Sequence, residues 1–207
     1  MRTLAIDTSG RACSIALFDD GNLIAHRHDV IGRGHAEWLV PWISELLGEG
    51  SADQILTGVG PGSFTGVRVA IAAARGLGLA WHVPVHGVNS LALVAAAYGL
   101  GKNCLVAVEG GHGELFLQPF QSTGQVGALG SFTPEAGAAL YNQETVIGSG
   151  AERLVAVRGY GTAIVQEADA AHILKVDVAQ RSLPPSPIYG RAPDAKPRPA
   201  TEHTCTS

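Results

Sequence analysis

Apolar positions open the chain in short runs. Residues 3–7, 12–18 and 22–30 carry such runs, separated by turn-forming residues, and this pattern predicts three consecutive antiparallel strands. Residues 35–47 then place Trp38, Leu39, Trp42, Ile43, Leu46 and Leu47 at helical spacing, with Pro41 expected to kink the helix early. A strand over 55–59, a tight loop over 60–65, a helix over 66–81, a strand over 83–86 and a helix over 90–98 follow. Alternation of this kind indicates an α/β unit.

A second unit begins at Leu105, with a strand to Glu109, a glycine-rich turn, a strand over 114–120 and a third near 125–132. Helical patterns over 134–141 and 168–180 complete it. Leu4-Ala5-Ile6-Asp7-Thr8-Ser9-Gly10 can be laid over Val106-Ala107-Val108-Glu109-Gly110-Gly111-His112, a weak internal repeat that suggests two related halves. The second half carries fewer helical patterns, so a reduced copy is expected. The division is a first lobe over 1–101, a smaller lobe over 102–192 and a tail over 193–207 whose lack of periodicity predicts disorder.

The 207 residues are 46% hydrophobic and 15% charged, enough apolar material for one sizeable core or two small ones. Glycine is abundant at 27 residues and aromatics are 6%, so close packing of small side chains is expected to matter more than large aromatic contacts. A formal net charge of −4 argues against the broad basic footprint of a protein that holds nucleic acid by charge neutralisation. If a nucleic acid is involved, a partner is expected to hold it. The longest apolar stretch, 67–81, is interrupted by Arg75, and the chain reads as soluble and cytoplasmic with no membrane segment. Cys13, Cys104 and Cys205 have no metal-type spacing; the first two lie in apolar runs and read as buried structural thiols.

Asp7-Thr8-Ser9 closes a strand and opens a turn. Small hydroxyl residues and exposed amides there can approach a phosphate, while the same side chains can equally satisfy the turn's own backbone. Gly60-Pro61-Gly62-Ser63-Phe64-Thr65-Gly66 joins a strand to a helix through a loop whose amides lie at a positive helix end, where an anion, a partner or simply a Ser63 or Thr65 cap would fit. It lacks the Gly-Lys-Ser/Thr of a Walker loop. His35 has Leu39 one turn later in place of a second histidine, and His26 and His28 alternate along a strand with no acidic companion nearby in the sequence, so no metal site is expected. Ser63 lacks a nucleophile elbow, and Glu109 and Glu114 around His112 read as solvated turn acids.

On the helix over 66–81, Val67, Ala70, Ile71, Ala74, Leu77 and Trp81 form an apolar face expected to pack on the sheet, while Arg68 and Arg75 share a wet stripe. Ala72, Gly76 and Ala80 recur at intervals of four, flanked by Val69 and Ala73, a row that admits another helix at close range. Either the helix over 35–47 or a partner subunit covers it.

Several of these segments occur in a familiar order: Leu4-Ala5-Ile6-Asp7-Thr8-Ser9 with Ala12-Cys13-Ser14, His35 before a Leu-Val-Pro helix, Gly60-Pro61-Gly62-Ser63-Phe64-Thr65-Gly66-Val67-Arg68, Gly87-Val88-Asn89-Ser90-Leu91 and Pro187-Ile188-Tyr189-Gly190-Arg191. Together they resemble the TsaB/YeaZ family. The resemblance implies a two-lobed actin-like (ribonuclease H-like, ASKHA) α/β fold with a reduced second lobe and no intrinsic catalysis. It also implies a scaffold role in threonylcarbamoyl transfer to adenosine 37 of tRNA, beside a TsaD-type catalytic subunit and a TsaE-type ATPase, with a homodimer when the partner is absent. No intrinsic cofactor is implied, although a nucleotide at a subunit junction is compatible with it. Asp7, Thr8 and Ser9 would then be a vestigial phosphate hairpin, and His35, Trp38, Gly62, Ser63, Phe64, Thr65, Arg68, Val69, Ala72, Ala73, Gly76 and Ala80 the partner interface. Val108-Glu109-Gly110-Gly111 replaces the family's usual Ile-Asp-Ala-Arg, and Gly190 replaces a Leu. The rival readings are a small actin-like ATPase using Asp7 and a glycoprotease-like peptidase.

Overall fold

A computed structural model describes residues 1–99, 101–121 and 126–190. The expected disordered tail, together with Arg191 and Cys205, lies outside them, as does the start of the strand expected near 125. The first lobe contains β1 (Arg2–Asp7), β2 (Ala12–Asp19), β3 (Asn22–Val30), α1 (His35–Leu47), β4 (Gln54–Gly58), α2 (Phe64–Trp81), β5 (Val85–Val88) and α3 (Ser90–Tyr98). Its five strands lie in the order β3-β2-β1-β4-β5, the first three antiparallel and the rest parallel.

The second lobe contains β6 (Cys104–Glu109), β7 (Leu115–Phe120), β8 (Gly130–Phe132), α4 (Pro134–Leu140), β9 (Thr145–Ile147), α5 (Ala151–Arg158) and β10 (Thr162–Ile164). Its order, β8-β7-β6-β9-β10, repeats the first sheet strand for strand with the same directions. Reduction therefore lies in element length, not in strand number: β8, β9 and β10 are three residues each. The sequence pattern does not reveal β9, α5 or β10. The expected helix over 168–180 is instead a 3-10 helix, Ala170–Lys175, followed by α6 (Val178–Arg181). The carboxylates of Asp169 and Asp177 accept from the amides of Ala171 and Ala179, so each aspartate caps a new short helix where one continuous helix was expected.

Both central strands are buried on both faces, and alternate residues feed different cores. Leu4 and Ile6 point to α1 and α2, beside Leu39, Trp42 and Ala70. Ala5 points the other way, into a central core shared by both sheets and by α3. From the second lobe, Cys104, Val106 and Val108 enter that central core, while Leu105 and Ala107 pack with Leu154 of α5. Ala168, Ala170, Ile173 and Val176 return from the second lobe to fill the gap between the sheets. Small side chains at Ala5, Ala16, Ala92, Ala96, Ala168 and Ala170 set this spacing.

Ile173 is fully buried in this central core. Ile173→Ala is expected to lower the unfolding free energy by about 2–4 kcal/mol in a urea titration; a loss below about 1 kcal/mol would show that the return segment stands outside the cooperative core.

Candidate partner-docking face and inter-lobe cleft

β1 ends on Asp7, whose carboxylate is buried against β4. Its Oδ1 accepts from the Ser9 amide at 2.9 Å and the Ser9 hydroxyl at 2.8 Å, and Oδ2 accepts from the Ser90 hydroxyl at 2.9 Å. Ser90 Oγ in turn accepts from the Gly60 amide at 3.1 Å. The approach is so close that a Cβ on Gly58 would stand 1.9 Å from Asp7 Oδ2. Burial pushes the Asp7 pKa up, and the bonds from Ser9 and Ser90, with His35 nearby, offset part of that rise. His35, expected at a partner surface, is 7% exposed, and its Nε2 is buried without a hydrogen-bond partner. Its ring belongs to the interior because it opens α1 directly under the sheet.

The glycine-rich loop packs on the same turn. Ser9 O accepts from the Ser63 amide at 2.6 Å, and the Thr8 hydroxyl donates to Gly66 O at 2.7 Å. A Cβ on Gly62 would lie 2.2 Å from Ser9 O, and one on Gly66 only 1.9 Å from Thr8 O, so two backbones touch where no side chain fits. Ser63 is the helix cap, accepting from the Gly66 amide at 3.2 Å, and α2 therefore begins two residues earlier than its apolar pattern indicates. Asp7 thus satisfies the turn's own Ser9 amide, while the Thr8 hydroxyl bonds across to α2 and the Ser9 hydroxyl returns to Asp7.

Beyond this turn a cleft of about 830 Å³ lies between the lobes, with Ser9 and Arg68 on one side and Glu109 and His112 on the other. The acids around it are engaged: Arg153 Nη1 donates to Glu109 Oε2 at 3.0 Å, and Ser131 Oγ donates to Glu114 Oε2 at 2.6 Å. Arg68 lies over the Phe64 ring at 3.3 Å from its centroid and donates to the Tyr189 hydroxyl, which ties the closing motif to the start of α2. Sequence reasoning missed Tyr189 as part of this cluster.

The outer face of α2 is open. Ser63, Phe64, Thr65, Ala72, Arg75, Gly76, Leu79 and Ala80 are exposed, Leu79 at 77% and Phe64 at 67%. A Cβ on Gly76 meets nothing within 4 Å. Helix α1 covers the adjacent flank instead, with Val69 and Ala73 half-buried in the cluster around Leu39, Trp42 and Ile43. Of the expected interface residues, Val69 and Ala73 thus serve mainly the α1–α2 contact, and Gly62 and Arg68 are half-buried. Trp38 is exposed at 47% and Val40 at 62%, on opposite flanks of α1, with Trp38 packed on Trp42 toward Arg27 of β3. Leu79 shares the wheel position of Ala72 and Gly76, a signal the sequence carried.

The expectation that His26 and His28 have no acidic companion is overturned. Asp169, 143 residues away from His26 in sequence, accepts from His26 Nε2 at 2.8 Å and stands 3.9 Å from His28 Nδ1. The candidate ligand atoms of these three residues stand close together, a grouping that the sequence spacing did not suggest. Cys13 and Cys104 are buried as expected, and burial pushes their thiols up to about 12 and about 11.

Comparison with known proteins adds the family. The model described as TsaD, tRNA N6-adenosine threonylcarbamoyltransferase, matches residues 28–169. The Escherichia coli protein named tRNA threonylcarbamoyladenosine biosynthesis protein TsaB is 38% identical over 130 residues, which are 58% of this chain and 55% of that protein. YeaZ from Pseudomonas aeruginosa superposes with a TM-score of 0.76 at 28% identity, covering 91% of this chain and 99% of that one. The chain belongs to this family as a TsaB/YeaZ-type member. Its match spans about half the length of the curated relatives. The ethanolamine utilization protein EutJ from Carboxydothermus hydrogenoformans, at a TM-score of 0.50 and 14% identity, shares the fold alone. That fold is the two-lobed actin-like, ribonuclease H-like one.

Within the TsaB/YeaZ family, both departures in this chain have a local setting. Glu109, where the family pattern has Asp, reaches Arg153 on α5 and also takes its amide bond to the Ser149 hydroxyl at 3.1 Å. At Gly190, where the pattern has Leu, a Cβ would meet the Phe116 ring at 2.4 Å, so that ring fills the space a side chain needs.

Asp7 supplies a pH prediction. Because its folded pKa is raised, its contribution to stability is fully present below the unfolded value of about 3.9 and is lost as pH rises through the folded value. Asp7→Asn keeps the shape and is expected to remove that decline, so that its melting temperature changes less with rising pH than wild type's. Parallel melting curves from pH 4 to 8 check this, and an unchanged pH profile would contradict it.

Proposed function

We propose that this chain is a non-catalytic scaffold and dimerisation subunit for threonylcarbamoyl transfer to adenosine 37 of tRNAs reading codons that begin with A. In this reading it pairs with a TsaD-type catalytic subunit, works with a TsaE-type ATPase and contacts tRNA only through the complex. It forms a homodimer when the partner is absent and resides in the cytoplasm. Among the described residues no helix is long and apolar enough to cross a membrane.

The observation that carries the proposal is the uncovered outer face of α2, where exposed Ala72, Gly76, Leu79 and Ala80 continue into Phe64. A small-residue row beside two large exposed apolar side chains suits close helix packing against another subunit. The names of the relatives supply the process, and the inward-turned carboxylate of Asp7 supports a structural part for that residue.

The rival ATPase or peptidase reading draws on the inter-lobe cleft, into which a nucleotide or peptide would fit. It requires turnover by the isolated chain that Asp7→Ala abolishes.

The interface is tested at Gly76. With open space around its Cα, Gly76→Leu is expected to leave the lone chain folded and to raise its stability by up to about 1 kcal/mol through helix propensity. The same change is expected to weaken assembly with a TsaD-type partner by about 1–3 kcal/mol, because a large side chain enters a close contact. Thermal unfolding and size-exclusion titration read the two effects separately. Unchanged assembly would place the interface elsewhere.

A further inference from the structure

His26 and His28 lie two apart on β3, the edge strand of the first sheet, and so point to the same side. Asp169 precedes the 3-10 helix that returns from the second lobe and lays its carboxylate against them. The candidate ligand atoms of the three residues all lie within 4.8 Å of one another. Asp169 Oδ1 is held in place by the Ala171 amide at 2.9 Å and the Ser14 hydroxyl at 3.3 Å, and it meets His26 Nε2 at 2.8 Å. His28 Nδ1 stands 3.9 Å off, buried and without a hydrogen-bond partner. A single carboxylate oxygen thus already serves three groups, while a fourth polar atom aimed at it is left over.

We propose that His26, His28 and Asp169 bind one divalent first-row transition cation, Zn²⁺ by the character of the ligands. Two imidazoles and one carboxylate are the borderline donor set that suits Zn²⁺ and disfavours Mg²⁺ and Ca²⁺. A tetrahedral ion about 2.0–2.1 Å from each donor sets donors about 3.3 Å apart, a spacing that the observed 2.8 and 3.9 Å bracket. The ion would take the lone pair of His28 Nδ1 and relieve the crowding at Asp169 Oδ1. The Ala171 amide and Ser14 hydroxyl then act as the outer partners that orient a ligating carboxylate. His26 is 30% exposed along its side chain, which leaves a coordination position toward solvent. Such an ion fastens the return segment, whose neighbours Ala168 and Ala170 sit in the central core, to the sheet edge. Glu167 lies on one flank of the site, and His172 and Lys175 on the other.

Calorimetric titration of the full, chelator-treated chain with Zn²⁺ tests the proposal. The wild type is expected to take up one equivalent more than the His26→Ala/His28→Ala double variant. Each single variant is expected to lose at least about ten-fold in affinity, His172→Ala to bind as wild type, and Mg²⁺ not to compete. Co²⁺ at the same site is expected to give the visible absorption of a four-coordinate ion in wild type alone. Should His28→Ala fail to fold, His26→Gln at the half-exposed ring carries the same comparison. Equal uptake by wild type and the double variant, or no saturable uptake by wild type, would overturn the site.

Discussion

The backbone-to-backbone contact between the β1–β2 turn and the start of α2 fixes most of the first lobe. Thr8 O and Ser9 O occupy the space where Gly66 and Gly62 would carry side chains, and the Ser63 amide and Thr8 hydroxyl lock the contact with hydrogen bonds. This pins the first turn of α2 on the end of β1. From there Val67, Ala70, Ile71 and Ala74 fall on the sheet, and the opposite side of the helix is left outside the chain's own cores. The open face is therefore a geometric consequence of the glycine loop. Larger residues in the loop would push α2 away and redirect that face.

The same contact explains how buried Asp7 is tolerated. A carboxylate in a low-dielectric interior is costly unless its oxygens are bonded, and here Ser9 and Ser90 supply three donors from the two segments flanking β1 and β4. The aspartate joins the turn, the Gly60 loop and α3 into one hydrogen-bonded unit. In the second lobe Glu109 occupies the corresponding strand end, but it is half-exposed and pairs with Arg153. The duplicated sheets have kept topology while the chemistry at the ends of their first strands has diverged.

The first lobe was largely legible in the sequence because its strands run four to nine residues and its helices nine to eighteen, long enough for a period to be counted. The repeat of Leu4–Gly10 over Val106–His112 matches central strand to central strand but in the wrong register, since Leu4 and Ile6 face α1 and α2 whereas Val106 and Val108 face the central core. β9 and β10 were hidden because three residues cannot display alternation, and α5 because its eight residues bury only Ala151 and Leu154. At the site, the glycines of the loop could be recognised from the sequence, but what they approach could not. The inward placement of His35 and the meeting of His26 with Asp169 depend on tertiary contacts no local pattern encodes. The open row of Ala72, Gly76 and Ala80 was visible as a helical face, while the division between it and the α1-facing Val69 and Ala73 needed the position of α1.

The central claim is that the outer face of α2 is a subunit contact. Hydrogen exchange of the full chain, alone and with a TsaD-type partner, measures it most directly. The account predicts new protection concentrated over residues 64–80, with the β3 edge unchanged. Protection confined to the β3 edge or the second lobe, with α2 exchanging as in the free chain, would contradict it.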